Sequence, residues 1–148
     1  MGYVDQNLMP GEQIIHRAQF HWVMFLRPAI AGLLGLLLLV SRDLRGLGFG
    51  LLLLAVIGGI GTAITYASSE FAVTNKRVIV KVGLIRRISL ELLLSKVESI
   101  GVNQGILGRI LNYGTIEVRG TGSTKERIPN ISDPLAFRRQ VQEQIPTA

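Results

Sequence analysis

Apolar residues along this chain fall into two long runs, after which their spacing changes. Trp22 to Val40 (WVMFLRPAIAGLLGLLLLV) carries a single charge, and Leu47 to Tyr66 (LGFGLLLLAVIGGIGTAITY) carries none. A helix rises about 1.5 Å per residue, so about 20 residues cross roughly 30 Å of bilayer hydrocarbon. The second run meets that length. In the first, Arg27 and Pro28 interrupt the pattern, and the uninterrupted part from Ala29 to Val40 is too short to cross alone. It reaches spanning length with Arg27 snorkelling to the interface, Trp22 in the aromatic belt and Pro28 in the first helical turn. The competing reading is a re-entrant or buried hydrophobic hairpin that never crosses. Ser41 to Gly46 (SRDLRG) is short enough to join the runs as an antiparallel helical hairpin.

After Glu70 the period becomes two. Val78, Val80 and Val82 share one face of RVIVKV, and Arg77, Ile79 and Lys81 share the other. TNKR between FAV and VIV predicts a tight hairpin turn. Further strands are expected over Arg86–Leu92, Lys96–Gln104, Gly114–Gly120 and Lys125–Asn130, with turn residues between them. That spacing points to a barrel or sandwich rather than βαβ units. GILGRILNYG breaks the alternation and is expected to be a loop or one helical turn. At the C-terminus Ser132 or Asp133 caps a helix with Pro134 in its first turn, and Phe137, Val141 and Ile145 form its apolar stripe. GEQIIHRAQF near the start also alternates, with Ile14, His16, Ala18 and Phe20 on one face, and could add a strand to the same module. The expected architecture is a two-helix transmembrane hairpin (22–40 and 47–66) followed by a small mostly-β barrel with a C-terminal capping helix (67–148). An N-terminal segment (1–21) precedes them.

Charge changes this picture by setting a side. Residues 1–21 carry Arg17 against Asp5 and Glu12, whereas residues 67–148 carry twelve Lys or Arg against seven Asp or Glu. Lys76, Arg77, Lys81, Arg86 and Arg87 follow the second run closely, while the loop between the runs offers Arg42 and Arg45. The positive-inside rule then places both termini in the cytoplasm. A secretory signal is not expected, because a polar stretch of about 20 residues precedes the first apolar run. Gln6 in MGYVDQ stands where a myristoylation motif needs Ser or Thr. The chain has no cysteine, which excludes disulfides, thiolate metal sites and thiol nucleophiles.

Candidate chemistry is sparse. His16 and His21 are the only histidines, and a spacing of five does not put both on one helix face. Glu98 and Glu117 are expected on separate strands beside Lys or Arg, which argues against an acid–base pair. GTGSTK (Gly120 to Lys125) lacks the phosphate-loop spacing and reads as a hairpin turn. The Asn130 triplet NIS matches a glycosylation site without meaning in a cytoplasmic segment. Catalytic residues, metal ligands, cofactors and nucleic-acid partners are therefore not expected. Two features remain. Ala55, Gly59, Ala63 and Ala67 recur every four residues and allow close helix packing, either within the hairpin or between copies, with Ala31 and Gly35 as a shorter counterpart. The basic cluster Lys76, Arg77, Lys81, Arg86 and Arg87 either only sets topology or contacts anionic lipid or an acidic protein face.

FAVTNKRVIVKVGLIRR, LSKVESIGVNQGILGRILNYGTIEVRGTG and IPNISDPLAFRRQV together resemble the bacterial pleckstrin-homology-like family of the second type. LMPGEQIIHRAQFHW is similar to that family's lead-in to its first span. The resemblance covers nearly the whole chain and implies about seven bent strands capped by a C-terminal helix, often following membrane spans. It implies no shared chemistry. Eukaryotic members that bind phosphoinositides show a lysine, then a Lys or Arg and an Arg two residues apart across the first hairpin. Here Lys81 is followed by adjacent Arg86 and Arg87, then Ile88 and Ser89, so that alternating pair is absent. The expected function is a non-enzymatic, self-associating interaction or scaffold protein in a bacterial inner membrane. The alternative is an anionic-lipid sensor acting through the basic hairpin.

Overall fold

The structure, a computed structural model, describes residues 2–84, 88–122 and 125–145. Its elements in chain order are α1 (Tyr3–Gln6), β1 (Ile14–Ala18), α2 (Leu26–Leu38), α3 (Arg45–Ser68), β2 (Glu70–Thr74), β3 (Arg77–Val82), β4 (Ile88–Leu93), β5 (Val97–Asn103), α4 (Ile106–Leu111), β6 (Tyr113–Gly120), β7 (Lys125–Ser132) and α5 (Pro134–Gln144). They form two compact units, Trp22–Ala67 and the combination of Met1–His21 with Ser68–Ala148.

The first unit is helical. A 3-10 turn, Trp22–Phe25, leads into α2, whose 13 residues rise about 20 Å. Arg27 and Pro28 fall in the first turn of α2, where a proline leaves no backbone donor unpaired that would otherwise be bonded. The 24 residues of α3 rise about 36 Å. Among the described residues one helical stretch, Arg42–Ser68, is long and apolar enough to cross a membrane; Trp22–Leu38 is a shorter apolar helix. The expectation of two spanning helices is thus met in length by the second alone. The two helices touch where glycine permits it. A Cβ at Gly48 would stand 2.9 Å from the Gly35 carbonyl oxygen, closer than real Cβ contacts come. The Phe25 and Tyr66 rings meet at 5.5 Å.

The second unit holds two antiparallel sheets, β1-β2-β3-β4 and β5-β6-β7. Ala18 of β1 pairs with Phe71 of β2, so the chain leaves this unit and re-enters it at neighbouring strand ends. Beyond β1, Phe20 bridges to Ile131, the His21 amide donates to the Asn130 carbonyl at 2.6 Å, and the Ser132 amide donates to the Gln19 carbonyl at 3.0 Å. These bonds tie β1 to β7 and link the two sheets. Between them lie Phe71, Val73, Val78 and Val80 of the first sheet and Ile116, Val118, Ile128 and Ile131 of the second, all buried. Phe20 meets Phe71 edge-on at 4.9 Å. The amphipathic stripe of α5 places Phe137 and Val141 in this core with no exposed surface. The Asp133 carboxylate accepts the Ala136 amide and caps the helix.

Candidate functional site

The opposite face of the first sheet is where the basic hairpin lies. Thr74 shapes its turn: the hydroxyl oxygen accepts the Lys76 and Arg77 amides at 3.2 and 3.0 Å, an arrangement that short hydroxyl side chains supply in turns. Alternation along β3 sends Arg77, Ile79 and Lys81 to one face, as the sequence predicts, but that face is covered. The N-terminal segment lies over it, with Val4 packed on Ala72 and Ile79. The Glu70 carboxylate accepts the Tyr3 and Val4 amides at 2.8 and 3.1 Å and so satisfies the start of α1.

Arg77 is the centre of this contact. Its guanidinium holds Glu12 in a bidentate pair, Nε to Oε1 at 2.9 Å and Nη2 to Oε2 at 3.0 Å. It also donates to the Glu91 carboxylate and to the Asn7 carbonyl. The Glu12 carboxylate further accepts the Met9 amide and the Thr74 hydroxyl, both at 2.7 Å. Burial works to raise the Glu12 pKa. The Arg77, Met9 and Thr74 hydrogen bonds outweigh it and hold the carboxyl below its ordinary range. The hydrogen bond that Arg77 donates to Glu12 in turn raises the Arg77 pKa, and its charge is never in question.

The five basic residues therefore divide. Arg77 is 4% exposed and committed to Glu12 and Glu91. Lys81 is 7% exposed, its Nζ 5.4 Å from the Tyr3 ring centre. Neither presents its charge outward, because the segment Tyr3–Glu12 occupies the face they share. Lys76 is exposed, and its ammonium donates to the Pro10 carbonyl at 2.8 Å. Arg86 and Arg87 lie outside the described residues. The sequence marked the cations; nothing in it marked Glu12, on the far side of both apolar runs, as the partner of Arg77.

The small-residue stripe divides as well. Ala55 and Gly59 face α2: a Cβ on Gly32 would meet that of Ala55 at 3.6 Å, and one on Gly59 would meet that of Pro28 at 3.9 Å. Ala63 and Ala67 are exposed. The first half of the stripe packs the two helices on each other, and Gly48, which the stripe omits, makes the closest approach.

The groups weighed for chemistry are dispersed. The His16 ring meets Phe137 edge-on at 6.2 Å, and His21 stacks on Tyr113 at 5.2 Å. Glu117 bridges Lys125 and Arg127 at 3.1 and 2.8 Å. The Lys125 hydrogen bond keeps its carboxyl below the ordinary range, the opposite of what a general acid needs. Among the described residues no group of three or more His, Asp or Glu is placed to hold a metal ion. Part of the turn Gly120 to Lys125 lies outside the described residues.

A family model described as the bacterial PH domain matches residues 26–145. No curated protein and no solved structure matches the chain.

Proposed function

The chain belongs to the bacterial PH domain family, and from that premise we propose a non-enzymatic interaction module, anchored in a bilayer by its apolar helices and assembling with copies of itself. The observation that carries the anchoring is the exposure of α3. Only 11% of the most apolar stretch of Arg42–Ser68 is buried, and Leu53, Leu54, Val56, Ile57 and Ile60 are each more than half exposed. A core helix of a soluble protein covers such side chains; lipid covers them here. The excess of Lys and Arg after α3 favours a cytoplasmic module in a bacterial inner membrane.

Self-association is supported by two features. In the described residues β4 pairs with β3 alone and leaves Ile88 and Leu93 exposed on an open edge, a template for strand addition. Ala63 and Ala67 offer α3 a small-residue surface for a second helix. The anionic-lipid sensor is the weaker reading, because Arg77 and Lys81 are spent inside the module.

The test is the native mass of the full-length protein released from lipid nanodiscs. A discrete multimer that dissociates when Ile88→Lys charges the β4 edge is the expected result. A monomer carrying bound anionic lipid would overturn self-association and favour the sensor.

A further inference from the structure

The short helix α4 is held firmly and yet shows its apolar side outward. Gln104 clamps it from below, its side-chain amide donating to the Gly108 and Tyr113 carbonyls at 3.2 and 3.1 Å. Gly108 is buried against Tyr113, and a Cβ there would stand 2.6 Å from the Tyr113 carbonyl oxygen. Asn112 ends the helix in the left-handed conformation. With that side fixed, Ile106, Leu107 and Ile110 project outward, 82%, 64% and 72% exposed. Core formation does not explain three bare aliphatic side chains on one turn.

Their position in the module supplies the explanation. Tyr113, directly after α4, pairs with Ser132 and stacks on His21. Ser132 in turn bonds to Gln19. Residues 19–21 are the last before the apolar helices, and the chain returns from them one strand away, at β2. β3 ends at this same end of the sheet, since Lys81 pairs with Glu70, and Leu84 just beyond it is 60% exposed. Exposed aliphatic residues thus gather where the chain departs for and returns from its membrane-length segment. The β2–β3 turn lies at the other end.

We propose that α4 is a bilayer-contact element: Ile106, Leu107 and Ile110 dip into the interface of the membrane that anchors the chain, with the exposed Arg109 at headgroup level. This rests on the anchored reading above. An amphipathic turn of aliphatic side chains beside a cation is the composition of an interfacial helix. Free in solution, so small a face would bind a bilayer weakly. Tethered twice at the same end, it meets the surface at high effective concentration and needs little intrinsic affinity. Contact at this point, together with the tethers, would fix the module's tilt on the membrane and so which edge it offers to partners.

The chain has no cysteine, so single labels are unambiguous. Ile106→Cys, Leu107→Cys and Ile110→Cys would each carry an environment-sensitive fluorophore in the full-length protein in nanodiscs. Ser95→Cys serves at the opposite end of the module and Ile57→Cys within α3. Lipids brominated near the headgroup boundary, about 5–10 Å deep where interfacial helices lie, should quench the three α4 labels about two-fold or more and leave position 95 unchanged. Quenching at 57 without quenching on α4 overturns this proposal and spares the anchored reading. No quenching at 57 even with lipids brominated near the acyl-chain ends, where the centre of α3 would lie, overturns both. Equal quenching at 95 and on α4 overturns the specific contact. An α4 label that responds to the number of copies per nanodisc instead of to bromine assigns the face to a second copy, and also overturns it.

Discussion

Replacing Glu12 by glutamine should release the N-terminal segment from the hairpin. The Glu12 side chain has no exposed surface, and that of Arg77 has 5%. A carboxylate accepts four donors here: two from Arg77, the Met9 amide and the Thr74 hydroxyl. An amide turns half of that acceptor into N–H groups, which then face the N–H donors of Met9 and Arg77. Breaking a buried ion pair by removing one partner costs about 3–5 kcal/mol. Arg77 keeps Glu91 and the Asn7 carbonyl, so the lower end, about 3 kcal/mol, is expected. That corresponds to about a 100-fold larger population of the opened segment. Amide hydrogen exchange of the full-length protein in nanodiscs, read at Tyr3, Val4, Gln6 and Glu12, measures it. The paired exchange Glu12→Leu with Arg77→Met should recover most of the protection, since apolar replacements of a buried pair are often neutral. If Glu12→Gln leaves protection within about two-fold of wild type, the pair does not hold the segment and the reasoning fails.

The same pair makes docking sensitive to acid. Glu12 titrates below its ordinary 4.5 when folded, so its contribution is fully present above that value and is lost as pH falls through the lower, folded-state value. Protection factors over residues 3–12 should drop at low pH in the wild type and lose most of that dependence in Glu12→Gln, the exposed Asp5–Arg17 pair keeping a smaller one. In the helical unit, Gly48→Ala forces a Cβ against the Gly35 carbonyl and should cost about 1–3 kcal/mol. Gly61→Ala meets nothing within 4 Å and should be neutral or stabilising by thermal unfolding in nanodiscs. Phe137→Ala empties a fully buried site under both sheets and should cost about 3–5 kcal/mol in the same assay. An unchanged midpoint would show that α5 is not part of the cooperative core.

Much of this could be read along the chain because it is local. Strand alternation, the Thr74 turn, the Asp133 cap with Pro134 behind it and the Phe137/Val141 stripe depend on residues within a few positions of one another. Each lies in the structure within about two residues of its expected bounds, but a bulge between Ile14 and His16 splits the face expected for β1: Ile14 packs by Val4 and Ala72, and His16 meets Phe137. Helix α4 was the margin of that reading: GILGRILNYG breaks the period of two, and it holds one short helix whose apolar residues face outward. The basic cluster shows the limit more sharply. Lys76, Arg77 and Lys81 look alike as a run of cations, yet one is exposed and two are buried. Alternation assigned Arg77 and Lys81 to one face. It could not say that the face was covered by a segment from the other side of the apolar runs.

By itself the sequence determined the types of most elements, though not helix α1, together with the membrane length of the second apolar run and the change of period after Glu70. These follow from backbone geometry and side-chain spacing, which operate over a few residues. Only the tertiary structure decided that Glu12 neutralises Arg77, that Gly35 and Gly48 bring the two helices together, and that α4 shares an end with residues 19–21. Those are contacts between residues distant in sequence, chosen by which surfaces can be desolvated together, and no local pattern encodes the pairing.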